Sequence, residues 1–164
     1  MHLWLKRSLV AALLLTAILV IPEAQASASQ ASVADVRNAT AKFHDLDQVT
    51  RANYQRLLPC FDQPGVGGMG QHYVNTRLLD NAVDATQPEG LVYEVDGDRL
   101  QLVAVEYIIP QAAWTASEPP SLLGHSFFKN DALGLWALHA WIWRPNPLGM
   151  FANYNPSVKL CPGH

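Results

Sequence analysis

The chain has only two cysteines, about a hundred residues apart, so it contains no Cys-x-x-Cys metal or redox motif. It also has no His-Glu-x-x-His and no EF-hand loop. Beyond Ala26, nine Lys and Arg stand against thirteen Asp and Glu, and no basic cluster forms. That balance argues against nucleic acid and anionic lipid as partners. After Ile21 no apolar run approaches the ~20 residues that a membrane helix needs. There is no internal repeat, and the single low-complexity stretch is "ASASQAS" at residues 26–32.

The start of the chain carries the strongest signal. Lys6 and Arg7 form a short basic region, residues 8–21 are apolar apart from Ser8 and Thr16, and Ala24-Gln25-Ala26 is a small-x-small cleavage site. This is the three-part pattern of an export signal, expected to span residues 1–26. The apolar run is too short to remain as a stable membrane anchor after cleavage. A flexible lead-in at 27–31 and one domain at 32–164 are expected to follow, in a secreted or periplasmic location. The 138 residues after Ala26 are enough for a single domain with its own core. Outside the cytoplasm a lone pair of cysteines reads most simply as a disulfide, Cys60 to Cys161. Closing so long a loop stabilises by ~4 to 5 kcal/mol if the bond is unstrained.

Residues 32–58 have helical periodicity. Val36, Phe43, Thr50 and Leu57 recur every seven residues, with Ala39, Leu46 and Asn53 as a weaker row. Ser32 or Asp35 is suited to cap the start, Pro59 to end it, and a break at 45–47 would divide it into two helices. The sequon at Asn38 falls inside this helical pattern and is set aside. From Pro64 onward the pattern is β-type. "HYVN" (72–75) is a short strand, and "LVYEV" (91–95) leads through Asp96-Gly97-Asp98 into "LQLVAVEYII" (100–109) as a hairpin. "SFF" (126–128) is a candidate short strand and "WALHAWIWRP" (136–145) an aromatic one. The tail, rich in Asn-Pro and Gly, reads as turns or coil. The expected fold class is α+β: an N-terminal helix, or two, packed on a curved antiparallel β-sheet.

The glycine-rich stretch "GVGGMGQHYVN" (65–75) invites three readings. Gly65-x-Gly67-x-x-Gly70, with Asp84 further on, matches a dinucleotide fingerprint, but prolines precede it and a β-type run follows, where a strand and a helix are required. "LGHSFF" around Ser126 lacks the second glycine of a nucleophile elbow. Met69, three residues before His72, is too common a spacing to indicate haem. The stretch is therefore expected to be a tight connection between helix and sheet, with glycines that permit close backbone approach.

Taken together, "GGMGQHYVN", "EGLVYE", "LVAVEYIIP", "LHAWIWRPNPLGMF" and "NPSVKLC" give the chain a resemblance to a family of small exported bacterial proteins of unknown function. The resemblance runs from "ATAKFHD" at Ala39 to Cys161. It departs at "RANYQRLLPC" (51–60), where the family carries a Gly-Tyr pair. It implies export and a single domain, and no activity.

Polar residues inside apolar strands supply the candidate site. By strand parity, Glu106 shares a face with Leu102, Ala104 and Ile108, while Val103, Val105, Tyr107 and Ile109 take the other. A carboxylate in a strand apolar on both faces needs partners, because a lone buried charge costs several kcal/mol. His72 and His139 are the first candidates, with Arg144 and Arg77 as competitors. Asn75, Glu94, Tyr107 and Trp141 are candidate supporting residues. Two histidines and one glutamate from different strands could hold a divalent transition metal such as Zn, Cu or non-haem Fe, or bind a small ligand. The same groups could act as an acid–base pair in a hydrolase or isomerase, or form a buried network in an envelope structural or interaction protein with no site. The first of these is the preferred expectation.

Overall fold

A computed structural model describes residues 31–163. The expected export signal and all of the lead-in except Ala31 lie outside the described residues. Helix α1, Val33–Thr40, opens on a capping box: Ser32 Oγ accepts from the Asp35 N–H, and the Asp35 carboxylate accepts from the Ser32 N–H. A 3-10 turn at Ala41–His44 buries Phe43, and Asp45 then caps helix α2, Leu46–Arg51, by accepting from the Asp47 N–H at 2.9 Å. The break therefore falls at Asp45.

The helix does not continue to Pro59. Asn53 adopts a left-handed conformation, φ 64°. The Tyr54 N–H returns to the Val49 carbonyl and the Asn53 N–H to that of Thr50, closing α2 with a Schellman motif. Asn tolerates this conformation better than most residues, so the local turn overrode the seven-residue pattern. Leu57, the last position of that pattern, lies in a strand with 54% of its surface exposed.

The strands are β1 (Gln55–Gln63), β2 (Gly67–Val74), β3 (Gly90–Asp96), β4 (Arg99–Pro110), β5 (Ser121–Leu122), β6 (His125–Ser126), β7 (Phe128–Asn130) and β8 (Leu135–Ala140). Six form one antiparallel sheet in the order β1-β2-β3-β4-β8-β7, while β5 and β6 pair separately. The fold is α+β, with short helices on a curled half-barrel sheet. The β3–β4 hairpin turns at the expected Asp-Gly, with Asp96 opposite Arg99. The glycine-rich stretch joins β1 to β2 and forms the first half of β2; it does not connect helix to sheet.

One face of the sheet carries Leu91, Tyr93, Leu102, Val105, Tyr107 and Ile109, packed under Val36, Phe43, Val49 and Tyr54. Val92, Val103 and Ala104 lie on the other face, against Trp141 and Val158. This corrects the parity reading at Leu102 and Val103. Tyr93 pairs with Leu102 and Val92 with Ala104, so Val103 is an extra, unopposed residue. Such a β-bulge reverses the inside–outside order on one side of it.

The aromatic strand also ends early. After Ala140 the Trp141 N–H donates to the Met150 carbonyl, the Trp143 N–H still holds the chain beside β4 through the Val103 carbonyl, and the tail beyond wraps back across the second face. There Asn155 bridges to Gly68. Lys159 N–H and Arg144 both donate to the Glu94 carboxylate, at 2.9 and 2.8 Å. Cys161 closes a disulfide with Cys60. That bond fits an oxidising, extracytoplasmic environment, and no helix among the described residues is long and apolar enough to cross a membrane.

Candidate metal centre

Pairing places Val74, Gly90, Glu106 and His139 in one row across β2, β3, β4 and β8. His72 lies one step along β2, in the row of Val92 and Ala104. Glu106 thus meets His139 directly, but must reach diagonally over β3 to meet His72. Gly90 makes that reach possible. A Cβ there would lie 3.0 Å from Glu106 Cβ and 3.2 Å from Oε2. A second glycine seats the histidine: a Cβ at Gly70, φ 101°, would run into the Tyr93 carbonyl at 2.6 Å. Only glycine lets β2 lie this close to β3 just before His72.

The three side chains converge. Glu106 Oε2 is 3.5 Å from His72 Nε2, and Oε1 is 3.4 Å from His139 Nε2. One ligand-type atom from each residue lies within 4.8 Å of the other two, and all three residues are buried. Trp141 stacks on the His139 ring at 5.8 Å and 12° between planes, shielding it from the tail side. Glu106 Oε2, His139 Nε2 and the Nδ1 atoms of both histidines make no hydrogen bond. Buried polar atoms are normally satisfied, and leaving one unmade costs about 1 to 3 kcal/mol.

Burial dominates the electrostatics. It raises the Glu106 carboxyl to about 8, with the nearby Glu89 charge adding to the rise. It lowers His72 to about 4, partly offset by the Gly70 backbone, and lowers His139 to about 3, helped by His72. Desolvation outweighs the Glu–His pairing, so burial favours a protonated carboxyl beside two neutral imidazoles. Neutral imidazoles are the form that ligates a metal, and a cation would displace the carboxyl proton.

The cluster lies on a cavity of about 420 Å³. Its walls come from both edges of the curled sheet, Leu58 and Phe61 of β1 facing Phe128 and Asn130 of β7. Met69 lines the cavity as a wall residue.

The four supporting candidates separate. Trp141 alone touches the cluster. Asn75 caps the short 3-10 turn after β2, accepting from the Arg77 N–H and donating to the Ala52 carbonyl. Glu94 pairs with Arg144, so Arg144 does not compete for Glu106. The Tyr107 hydroxyl donates to the Ala85 carbonyl, and Tyr107 packs in the core under the helices. Gly90 and the facing edge-strand walls went unseen in the sequence. The signal for Gly90 was present, a glycine opening an otherwise apolar strand, where close approach of a neighbour is a standard reason for it. The walls had no such signal, because the first part of β1, with Leu58, lay inside the expected helix and nothing local sets β1 opposite β7.

No protein-family model matches the chain, and neither a curated protein nor a solved structure does. Function is therefore read from the site.

Proposed function

We propose that the protein is an exported metal-binding domain that holds one divalent transition metal through His72, Glu106 and His139. The observation that carries this reading is a buried three-donor cluster in which Glu106 Oε2 and His139 Nε2 make no hydrogen bond. The Glu–His separations of 3.5 and 3.4 Å, one to each carboxylate oxygen, bring donors from all three residues within reach of one ion. Two imidazoles and one carboxylate are a donor set that suits zinc. Three protein ligands, not four, are the pattern of a zinc site that leaves a position for an exogenous ligand. The export-signal pattern of residues 1–26 and the Cys60–Cys161 disulfide support a secreted or periplasmic location.

One observation favours a second reading. A protonated Glu106 beside neutral imidazoles is also a proton donor next to two bases. Metal analysis separates the two. Protein made without a histidine tag, stripped with chelator and dialysed against zinc, is expected to retain one ion per chain. Glu106→Gln is expected to lower that affinity by about 100-fold or more, since even outer-sphere changes cost 10- to 100-fold, with an unchanged circular-dichroism spectrum. If no divalent ion binds stoichiometrically or raises the melting temperature, the metal reading fails and the acid–base reading replaces it.

A further inference from the structure

We propose that the cavity beside the cluster binds small amphiphilic monoanions: carboxylates with an apolar body, whose head group completes the coordination of the metal. This rests on the metal reading above and names the ligand class of that same site.

Size sets the first limit. A cavity of about 420 Å³, at about 30 Å³ per water-sized group, has room for about a dozen heavy atoms. Polarity sets the second. Leu58, Phe61, Met69, Leu133 and Leu135 give apolar walls, and the cluster forms the polar part of the lining together with Asn130, Asn153 and Tyr154, none of which carries charge. At the outer end Phe128 and Leu133 are 52% and 47% exposed, a hydrophobic rim over which an apolar tail can enter.

Charge sets the third limit. A divalent ion held by one carboxylate and two neutral imidazoles carries a residual charge of about +1. That charge is costly in a buried apolar setting. A monoanion cancels it. A dianion leaves a negative charge, and among the described residues no Lys or Arg lines the cavity to meet one. A neutral alcohol leaves the positive charge uncompensated. Head-group charge and tail length are thus selected separately, one by the ion and the other by the walls.

Octanoate is the probe, with 1-octanol, octyl phosphate and butyrate as comparisons, against the cobalt-loaded and the metal-free protein. Octanoate is expected to shift the visible cobalt bands and to bind the loaded protein at least tenfold more tightly than the metal-free one. Octanol and octyl phosphate are each expected to bind at least tenfold more weakly than octanoate. Butyrate should be weaker by up to about fourfold per missing methylene. Leu133→Asp, at an exposed position outside the cluster, is expected to weaken octanoate about tenfold while cobalt still binds one per chain. Stoichiometric cobalt with no spectral response to octanoate, or equal octanoate affinity with and without metal, overturns the proposal and leaves the metal reading standing. Failure to bind cobalt at all overturns both.

Discussion

Gly90 pairs with Glu106 across the β3–β4 ladder and contributes no side chain, so the carboxylate can lean over it toward His72. The space is tight enough to make a test. With Cβ 3.0 Å from Glu106 Cβ and 3.2 Å from Oε2, Gly90→Ala is expected to push the carboxylate off the His72 side. Zinc affinity should fall about 10-fold by isothermal titration, a loss in the range of a disturbed supporting shell. The melting temperature should fall by a few degrees, because overpacking by one methyl typically costs about 1 to 3 kcal/mol. Unchanged zinc affinity would mean that His72 and Glu106 do not act together.

Among the elements, the end of α2 decides where the sheet begins. Asn53 holds the left-handed turn that stops the helix and frees residues 55–63 to become β1, which supplies both the disulfide cysteine Cys60 and the cavity wall residues Leu58 and Phe61. Asn53→Ala forces a side chain with no local hydrogen-bonding capacity into that conformation, at about 1 to 2 kcal/mol. Asn53→Gly removes the strain and should be neutral or slightly stabilising. Urea midpoints of the two variants are expected to differ in this order, and a reversed order would count against the Schellman end. A heptad count is blind to such a turn because Asn is acceptable in both settings. The Val103 bulge in β4 is equally hidden, since every residue from Leu102 to Val105 is apolar and either parity looks plausible in one dimension. Glu106 lies beyond the bulge, in regular pairing with His139, so the face shared by Ala104, Glu106 and Ile108 was read correctly from alternation alone.

Across the whole molecule, burial of the cluster makes stability of the metal-free protein depend on pH from both sides. Glu106 is raised from 4.5 to about 8 and Glu89, buried next to Gly90, to about 7. A carboxyl raised on folding gives stability that is complete below about 4.5 and is lost as pH climbs toward 8. The imidazoles of His72 and His139 are lowered from 6.5 to about 4 and about 3. Their contribution is complete above 6.5 and is lost as pH falls through those values. In chelator, the urea midpoint is therefore expected to be highest between about pH 4.5 and 6.5 and to fall toward pH 8. Glu106→Gln should flatten the alkaline limb, leaving the part due to Glu89. A metal-free protein more stable at pH 8 than at pH 5.5 would contradict the buried, protonated state of Glu106.

Alternation and turn chemistry are local properties, and they determined the β3–β4 hairpin, the helix start at Ser32, the break at 45–47, and the α+β class. A buried carboxylate needs partners wherever it is, so Glu106, His72 and His139 stood out before any coordinates did. Which groups meet was a different matter. Arg144 stood as a competitor to the two histidines for Glu106, and its pairing with Glu94 depends on where the chain runs once β8 has ended at Ala140. The cavity walls depend on the curl that sets β1 opposite β7, a sum of strand twists with no residue-level signature. Pairwise chemistry was legible in one dimension; register, curl and the path of the tail are global, and only the tertiary structure decided them.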